Sequence, residues 1–343
     1  MKKASLLLLY SLPLPCFSDG TPDLIGRKSS LDRLDSVEQA LRSSGYRVQV
    51  LEFKDNWAVV LRKISHSGVD LVFNLCEEFR GNSKLEMNIA ALLEMVGIPF
   101  TGSSSLALGL SQDKGKTKSI LANHHIPTPS FALIAPGEKE KSLPLRYPLI
   151  AKPVYEDGSL GIDNYAFAAD PKDLRRQIRR IHRLYRQPAL VEEYIEGREL
   201  NVSIIGNETL QVLPVSEIDF STMPAGLPRI CSYAAKWMEE SREYSHTQPL
   251  CPASLPPRIR RRVEEISLQT YRIMDCRDYA RVDIRLSSRG IPYVLEINAN
   301  PDISLDAGMV RSAISAGYSY NEFISKIVEM ALARSLCSSS GCR

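Results

Sequence analysis

Apolar residues recur along this chain in two alternating rhythms. Leu6–Tyr10, Val48–Phe53 and Val69–Leu75 are short, nearly continuous apolar runs, and the last is apolar enough to be buried on both faces. Leu31, Leu34, Val37 and Leu41 recur at helical spacing and stop near Gly45. Leu85, Ile89, Leu92 and Val96 do the same before Gly97. This strand–helix–strand rhythm over residues 1–112 predicts a parallel sheet.

Residues 113–197 change character. A helix from Asp113 to about Asn123 leads into Ile126-Pro127-Thr128-Pro129, and loop chemistry follows at Ala135–Ser142. Next come the strand Pro148–Pro153, a glycine-containing loop and a helix with the apolar stripe Leu174, Ile178, Ile181 and Tyr185. Asp170 suits the cap of that helix and Pro171 its first position. The strand Ala189–Ile195 closes the segment.

Residues 198–334 open with strands Leu200–Ile205 and Leu210–Ile218. Asp219 to about Ser254 reads as a long irregular stretch, the kind of segment that serves as a functional loop. A helix through Ile259, Val263, Ile266, Thr270 and Ile273 precedes a hairpin of Tyr279–Leu286 and Ile291–Asn298, joined by Ser287-Ser288-Arg289-Gly290. Ser319-x-x-Glu322 is a capping box for a last helix through Phe323, Ile327 and Ala331. Residues 335–343 read as a frayed polar tail.

The chain has 343 residues, 44% of them hydrophobic, enough for two or three domains with real cores. Lys plus Arg is 43 and Asp plus Glu is 40, so the net charge of +3 is no basic footprint and disfavours nucleic acid as a partner. Arg175, Arg176, Arg179, Arg180, Arg183 and Arg186 read as the solvated face of the amphipathic helix rather than an anion patch. Seven scattered cysteines without a C-x-x-C fit a reducing compartment, and hence the cytoplasm. Lys2, Lys3 and Leu6–Tyr10 read as the approach to a buried strand rather than a signal peptide. No stretch approaches the roughly 20 apolar residues of a membrane span.

Chemistry concentrates in four places. Asp283 lies on one hairpin strand and Glu296 and Asn298 lie two apart on the next, so one sheet face gathers two carboxylates and an amide oxygen. That set suits a hard cation such as Mg²⁺; the bland alternative is a solvated hairpin face. Lys152 ends a strand before Tyr155-Glu156-Asp157-Gly158-Ser159-Leu160-Gly161, which suits phosphate but also a plain connection. Glu192, Glu193, Glu196 and Glu199 crowd a strand end, as a ligand edge or as a charged hinge. Lys236-Trp237 sits in the long loop, as a lid over an anion or as an ordinary exposed segment.

In order, these segments resemble the ATP-grasp superfamily, and within it the D-alanine–D-alanine ligase group, from about Val69 to Ala333. The carriers are Gln112-Asp113-Lys114 with Lys118, Ile126-Pro127-Thr128-Pro129, Ala151-Lys152-Pro153 with Gly158–Gly161, and Glu192–Glu199. Lys236-Trp237, Cys251-Pro252-Ala253, Arg281-Val282-Asp283 and Leu295–Pro301 complete the set. The resemblance implies an α/β protein, an ATP-grasp fold of two α+β lobes behind an N-terminal parallel-sheet domain. It implies domains at residues 1–112, 113–197 and 198–334, followed by the tail. Lys114 and Lys152 would contact the phosphates, with Ser159, Gly161 and neighbouring amides covering them. Glu192, Glu193, Tyr194 and Ile195 would line the adenine edge and Glu199 would meet the ribose. Asp283, Glu296 and Asn298 would hold a pair of Mg²⁺ ions, or Mn²⁺ in their place. Arg281 and Lys236 would act catalytically, on the acyl phosphate and the γ-phosphate.

The implied activity is ATP-dependent carboxylate–amine ligation through an acyl phosphate. The alternatives are a phosphotransferase without amine ligation and a nucleotide-binding protein without turnover. The implied partners are a small carboxylate and a small amine, without nucleic acid or membrane, and a homodimer is left open.

The amino-acid half departs from the family pattern. Ser11–Ser30 offers no clear counterpart of the glutamate that grips the first substrate's ammonium, leaving Glu77, Glu78 and Asp19 as candidates. The His-Gly-x-x-Gly-Glu-Asp-Gly segment becomes Asn74-Leu75-Cys76-Glu77-Glu78-Phe79-Arg80-Gly81. Gly158 stands for a serine and Trp237 for a tyrosine. Ala307 replaces the serine that binds the second substrate's carboxylate, and Asp302 replaces a glycine.

Overall fold

The computed structural model describes residues 3–14, 24–138 and 143–339. The N-terminal part runs β1 (Ser5–Tyr10), α1 (Leu24–Ser43), β2 (Arg47–Glu52), α2 (Trp57–Ser65), β3 (Leu71–Leu75), α3 (Glu86–Val96), α4 (Ser105–Gln112) and α5 (Lys114–Asn123). Its three strands pair in parallel in the order β2-β1-β3, as the alternating rhythm predicts. Strand side chains alternate between faces. Leu7 and Leu9 of β1 therefore enter one core with Ile89 and Leu93 of α3. Leu6 and Leu8 enter another with Leu34 and Leu41 of α1. Gly97 closes α3 in the left-handed conformation, at φ 72°.

The central part contains β4 (Phe131–Ile134), β5 (Leu149–Pro153), β6 (Phe167–Ala168), α6 (Pro171–Tyr185) and β7 (Ala189–Glu193), with an antiparallel sheet ordered β4-β7-β5-β6. Asp170 caps α6 through the backbone N–H groups of Lys172 and Asp173. Leu174, Ile178 and Ile181 are buried against the sheet, while Arg175, Arg176, Arg179 and Arg183 are exposed.

The C-terminal part contains β8 (Gly197–Gly206), β9 (Leu210–Val212), β10 (Ser216–Asp219), α7 (Tyr233–Trp237), α8 (Arg242–Ser245), β11 (Gln248–Leu250), α9 (Pro257–Ile273), β12 (Tyr279–Ser287), β13 (Pro292–Asn298), α10 (Gly308–Ser315) and α11 (Tyr320–Ser339). Its sheet is ordered β11-β10-β8-β12-β13, with β9 also on β8. The last helix crosses back to the first sheet, where Phe323, Ile324 and Ile327 share a core with Leu6 and Leu8.

Several sequence expectations are corrected. The run expected as one strand, Leu210–Ile218, is two, because Pro214 has no N–H for the ladder. The stretch 219–254 contains α7, α8 and β11; Ser232 and Ser241 cap the two short helices. The tail is helical through Ser339, anchored by Arg334, which donates to the Phe100 carbonyl and to Asp278. Residues 340–343 lie outside the described residues, as do Lys2, Asp19 and Cys16. Among the described residues Cys76, Cys231, Cys251 and Cys276 are free, and no helix is long and apolar enough to cross a membrane.

Candidate active site

A cleft of about 440 Å³ lies between the central and C-terminal sheets. The central sheet contributes Lys152 from β5 and Glu192 from β7, and the chain runs on through Tyr194 and Ile195 to β8. The C-terminal sheet contributes Glu199 and Asn201 from β8, Arg281, Asp283 and Arg285 from β12, and Glu296 and Asn298 from β13. Gly158, Ser159, Lys236 and Trp237 enter from loops and α7.

The floor follows from strand register. Asp283 pairs with Glu296 and Arg281 with Asn298 across β12 and β13, and Asn201 on β8 stands opposite Asp283. A register shift after Asp283 marks the site. Arg281 grips Asp283 with two donors, Nε to Oδ1 at 2.7 Å and Nη2 to Oδ2 at 2.8 Å. Asn201 and Asn298 donate to the same carboxylate at 2.7 and 3.1 Å. Burial acts to raise the Glu296 pKa, yet Lys114, Lys152, Arg281 and Lys236 bring it down to about 2. The ionised Glu296 beside the Asp283 side-chain oxygens fits a hard cation, once the Asn298 amide turns its oxygen inward.

Above the floor, two buried lysines share one carboxylate. Glu192 takes Lys118 at 2.7 Å and Lys152 at 2.8 Å. Burial would raise the Glu192 pKa, and the two lysines hold it below the usual range. One unit of positive charge remains beside the cleft, as phosphate binding needs. Lys114 does not line the cleft itself; it donates to the Glu156 carbonyl and to Asp157 at 2.7 Å each and stands 3.6 Å from Glu296.

The glycine loop and α7 are tied together. Trp237 Nε1 donates to the Gly158 carbonyl at 2.9 Å, Ser159 Oγ to the Cys231 carbonyl at 2.8 Å, and the Tyr233 amide to the Ile162 carbonyl at 2.8 Å. Gly161 does not line the cleft; a Cβ there would stand 2.6 Å from Pro153. Lys236 lines the cleft over the Trp237 ring.

Sequence reasoning missed Arg285. Buried at 3% exposure, it donates to the Ile195 carbonyl at 3.1 Å, to Glu199 at 3.3 Å and to the Tyr194 hydroxyl at 2.9 Å. The signal was present, because Arg281, Asp283 and Arg285 alternate along one strand face. Glu193 is turned partly outward and accepts the Arg146 amide. Burial holds the Glu199 carboxyl above its usual range, against the pull of Arg285.

Comparison with known proteins settles the kinship. The family model described as D-ala D-ala ligase C-terminus matches residues 120–329. A D-alanine–D-alanine ligase of Carboxydothermus hydrogenoformans is 30% identical over 315 residues, 89% of this chain and 94% of that protein. The chain belongs to the D-alanine–D-alanine ligase family. It is an ATP-dependent carboxylate–amine ligase in class. An uncharacterised protein of Sinorhizobium fredii, y4sG, is 36% identical over 306 residues, 87% of this chain and 86% of that protein. The crystal structure of D-alanine–D-alanine ligase from Bacillus anthracis complexed with ATP shares the fold, with a TM-score of 0.76 at 21% identity, covering 98% of this chain and all of that one.

The remaining end of this ligase's cleft is lined by Ser29, Asp302, Asp306, Ala307, Gly308 and Arg311. Asp302 accepts from Ser304 and stands 3.5 Å from the buried Arg33, which also pairs with Glu77. Burial would raise the Asp302 pKa, but Arg33 and Ser304 keep it below the usual range. Glu78 is bound in a local turn to the Gly81 amide. Of the ammonium-binding candidates, Glu77 is thus engaged by a cation and Glu78 by backbone.

Proposed function

We propose that this ligase uses ATP to activate the carboxylate of one amino-acid-like substrate and joins it to the amine of another. The observation that carries the proposal is the convergence of Asp283, Glu296 and Asn298 on the floor of a cleft whose wall holds Lys152 and Glu192. In this proposal Glu192, Glu193, Tyr194 and Ile195 border the adenine, Glu199 meets the ribose, and Lys114, Lys152, Ser159 and Gly161 serve the phosphates directly or by shaping the loop. The domain limits 1–112, 113–197 and 198–334 are proposed with it. Mg²⁺, held by Asp283, Glu296 and Asn298, would offset phosphate charge when bound.

The chemistry follows from charge. A carboxylate oxygen attacks the γ-phosphorus and ADP leaves, giving an acyl phosphate. The amine nitrogen then attacks the acyl carbon, loses a proton, and inorganic phosphate departs. Two anions must meet in the first step, so Lys152 and Lys236 offset their repulsion while Arg281 stabilises the oxyanion of the second. The contacts of Trp237 and Ser159 close the lid against water, which protects the acyl phosphate. The named enzymes among the relatives are ligases, which favours this over a bare phosphotransferase. Four free thiols among the described residues support a reducing, cytoplasmic setting.

D-alanine is the first substrate to test, because relatives carry it in their names. Asp302, Ala307 and Trp237 argue for a different pair. The deciding experiment measures phosphate release from Mg²⁺–ATP with amino acids and short peptides, singly and in pairs. Release that requires two amino acids and yields an amide supports the proposal; release with a single acceptor and a phosphorylated product counts against it.

A further inference from the structure

The loop that leaves β5 changes conformation at its tip. Gly158 and the next residue, Ser159, both adopt left-handed backbone angles, at φ 61° and 64°. A serine is strained there, and such a conformation persists only where the surroundings hold it. The lid holds the tip, through Trp237 and the Cys231 carbonyl. A different set of side chains holds the stem, and the proposed chemistry leaves them unused.

The stem is Tyr155, and two glutamines from distant parts of the chain take both of its backbone groups. Gln112, the last residue of α4, donates Nε2 to the Tyr155 carbonyl at 2.7 Å. Gln187, between α6 and β7, accepts the Tyr155 amide on Oε1 at 2.7 Å. Its Nε2 donates to Glu156 Oε1, also at 2.7 Å. Each glutamine is 7% exposed. Ser83 adds a second donor to the Tyr155 carbonyl at 3.1 Å, and the Lys84 ammonium stands 3.2 Å from the centre of the Tyr155 ring.

A surface loop ordinarily leaves its backbone to water and stays mobile. Here a buried donor and a buried acceptor converge on one residue, and freeing either of them is costly. Gln112 belongs to the N-terminal part and Gln187 to the central part, so the stem is fixed to both. Gly158 and Ser159, three and four residues further on, line the cleft.

We propose that Gln112 and Gln187 are positioning residues for the nucleotide: by clasping Tyr155 they fix the stem from which Gly158 and Ser159 reach over the phosphates. This rests on the nucleotide reading of the cleft given above.

The test is calorimetric titration of the full chain with Mg²⁺ and a non-hydrolysable ATP analogue, with amide hydrogen exchange followed on the same proteins. Gln112→Met is expected to weaken binding of the analogue on the order of tenfold, the loss of one buried hydrogen bond. Exchange rises over residues 155–161, while β12 and β13 stay as protected as in wild type. Gln187→Met acts in the same direction. The double variant is weakened by less than the product of the two single effects, because both side chains hold one residue. An unchanged affinity in a cooperatively melting variant of either glutamine overturns the proposal. So does a weaker affinity with faster exchange throughout the sheets, which marks plain destabilisation. A wild type that does not bind the analogue overturns the nucleotide reading of the cleft instead, and the role of the clasp with it.

Discussion

At the proposed nucleotide end of the cleft, the buried charged side chains are already tied to partners. Lys118 and Lys152 share Glu192, Lys114 is tied to Asp157, and Arg285 directs its donors to Ile195, Tyr194 and Glu199. At the other end, Arg311 lines the cleft with no ion pair among the described residues and bonds only a backbone carbonyl, that of Asp306, while Asp302 is held by Ser304 and Arg33. The difference teaches where selectivity resides. Preformed ion pairs let the nucleotide end bind the same ligand without reorganisation. A cation without a preformed ion pair favours a ligand that brings a matching anion over one that does not.

The comparison breaks most visibly at the floor. Asp283→Asn removes the group that Arg281, Asn201 and Asn298 converge on. ADP formation is expected to fall on the order of 10²–10³-fold or more with cooperative melting retained; unchanged turnover removes the metal assignment. Lys152→Ala leaves Glu192 to Lys118 alone. It is expected to raise the KM of ATP on the order of tenfold and that of the amino acid less. The reverse order, read from the two saturation curves, would take Lys152 out of the nucleotide end.

Trp237→Phe deletes the bond to the Gly158 carbonyl that ties the lid to the loop. A cost of about 0.5–1.5 kcal/mol in lid closure should appear as a few-fold excess of ATP hydrolysis over amide formed. A ratio still at unity separates the lid contact from water exclusion.

The smallest effect concerns Asp302, whose pKa is depressed in the folded protein. Its stabilising contribution is therefore present above the unfolded value of about 3.9 and is lost as the pH falls below it. The Tm of Asp302→Asn should lie below wild type at pH 6 and approach it at acid pH. A gap that stays constant down to pH 3 excludes a charge-based role.

Much of this was legible before any coordinates. Gly97 and the Ser319–Glu322 box marked helix ends because capping is local chemistry. The helices Trp57–Ser65, Ser105–Gln112 and Gly308–Ser315 escaped notice because each is short. In the first, Val60 and Ile64 are the buried residues, too few to set a period. Arg285 was overlooked because its partners at 194, 195 and 199 belong to another strand and its lead-in, invisible from β12 alone.

By itself the sequence determined what adjacent residues decide: strands with period two, helices with caps, and Glu296 and Asn298 on one face. Only the tertiary structure decided that Asn201 joins Asp283 from a third strand, that Glu192 lies between Lys118 and Lys152, and that Arg285 turns its donors to Ile195, Tyr194 and Glu199. The physical reason is range. Backbone conformation follows from neighbours a few residues away, whereas the pairing of a charge depends on which distant segments the cores bring together.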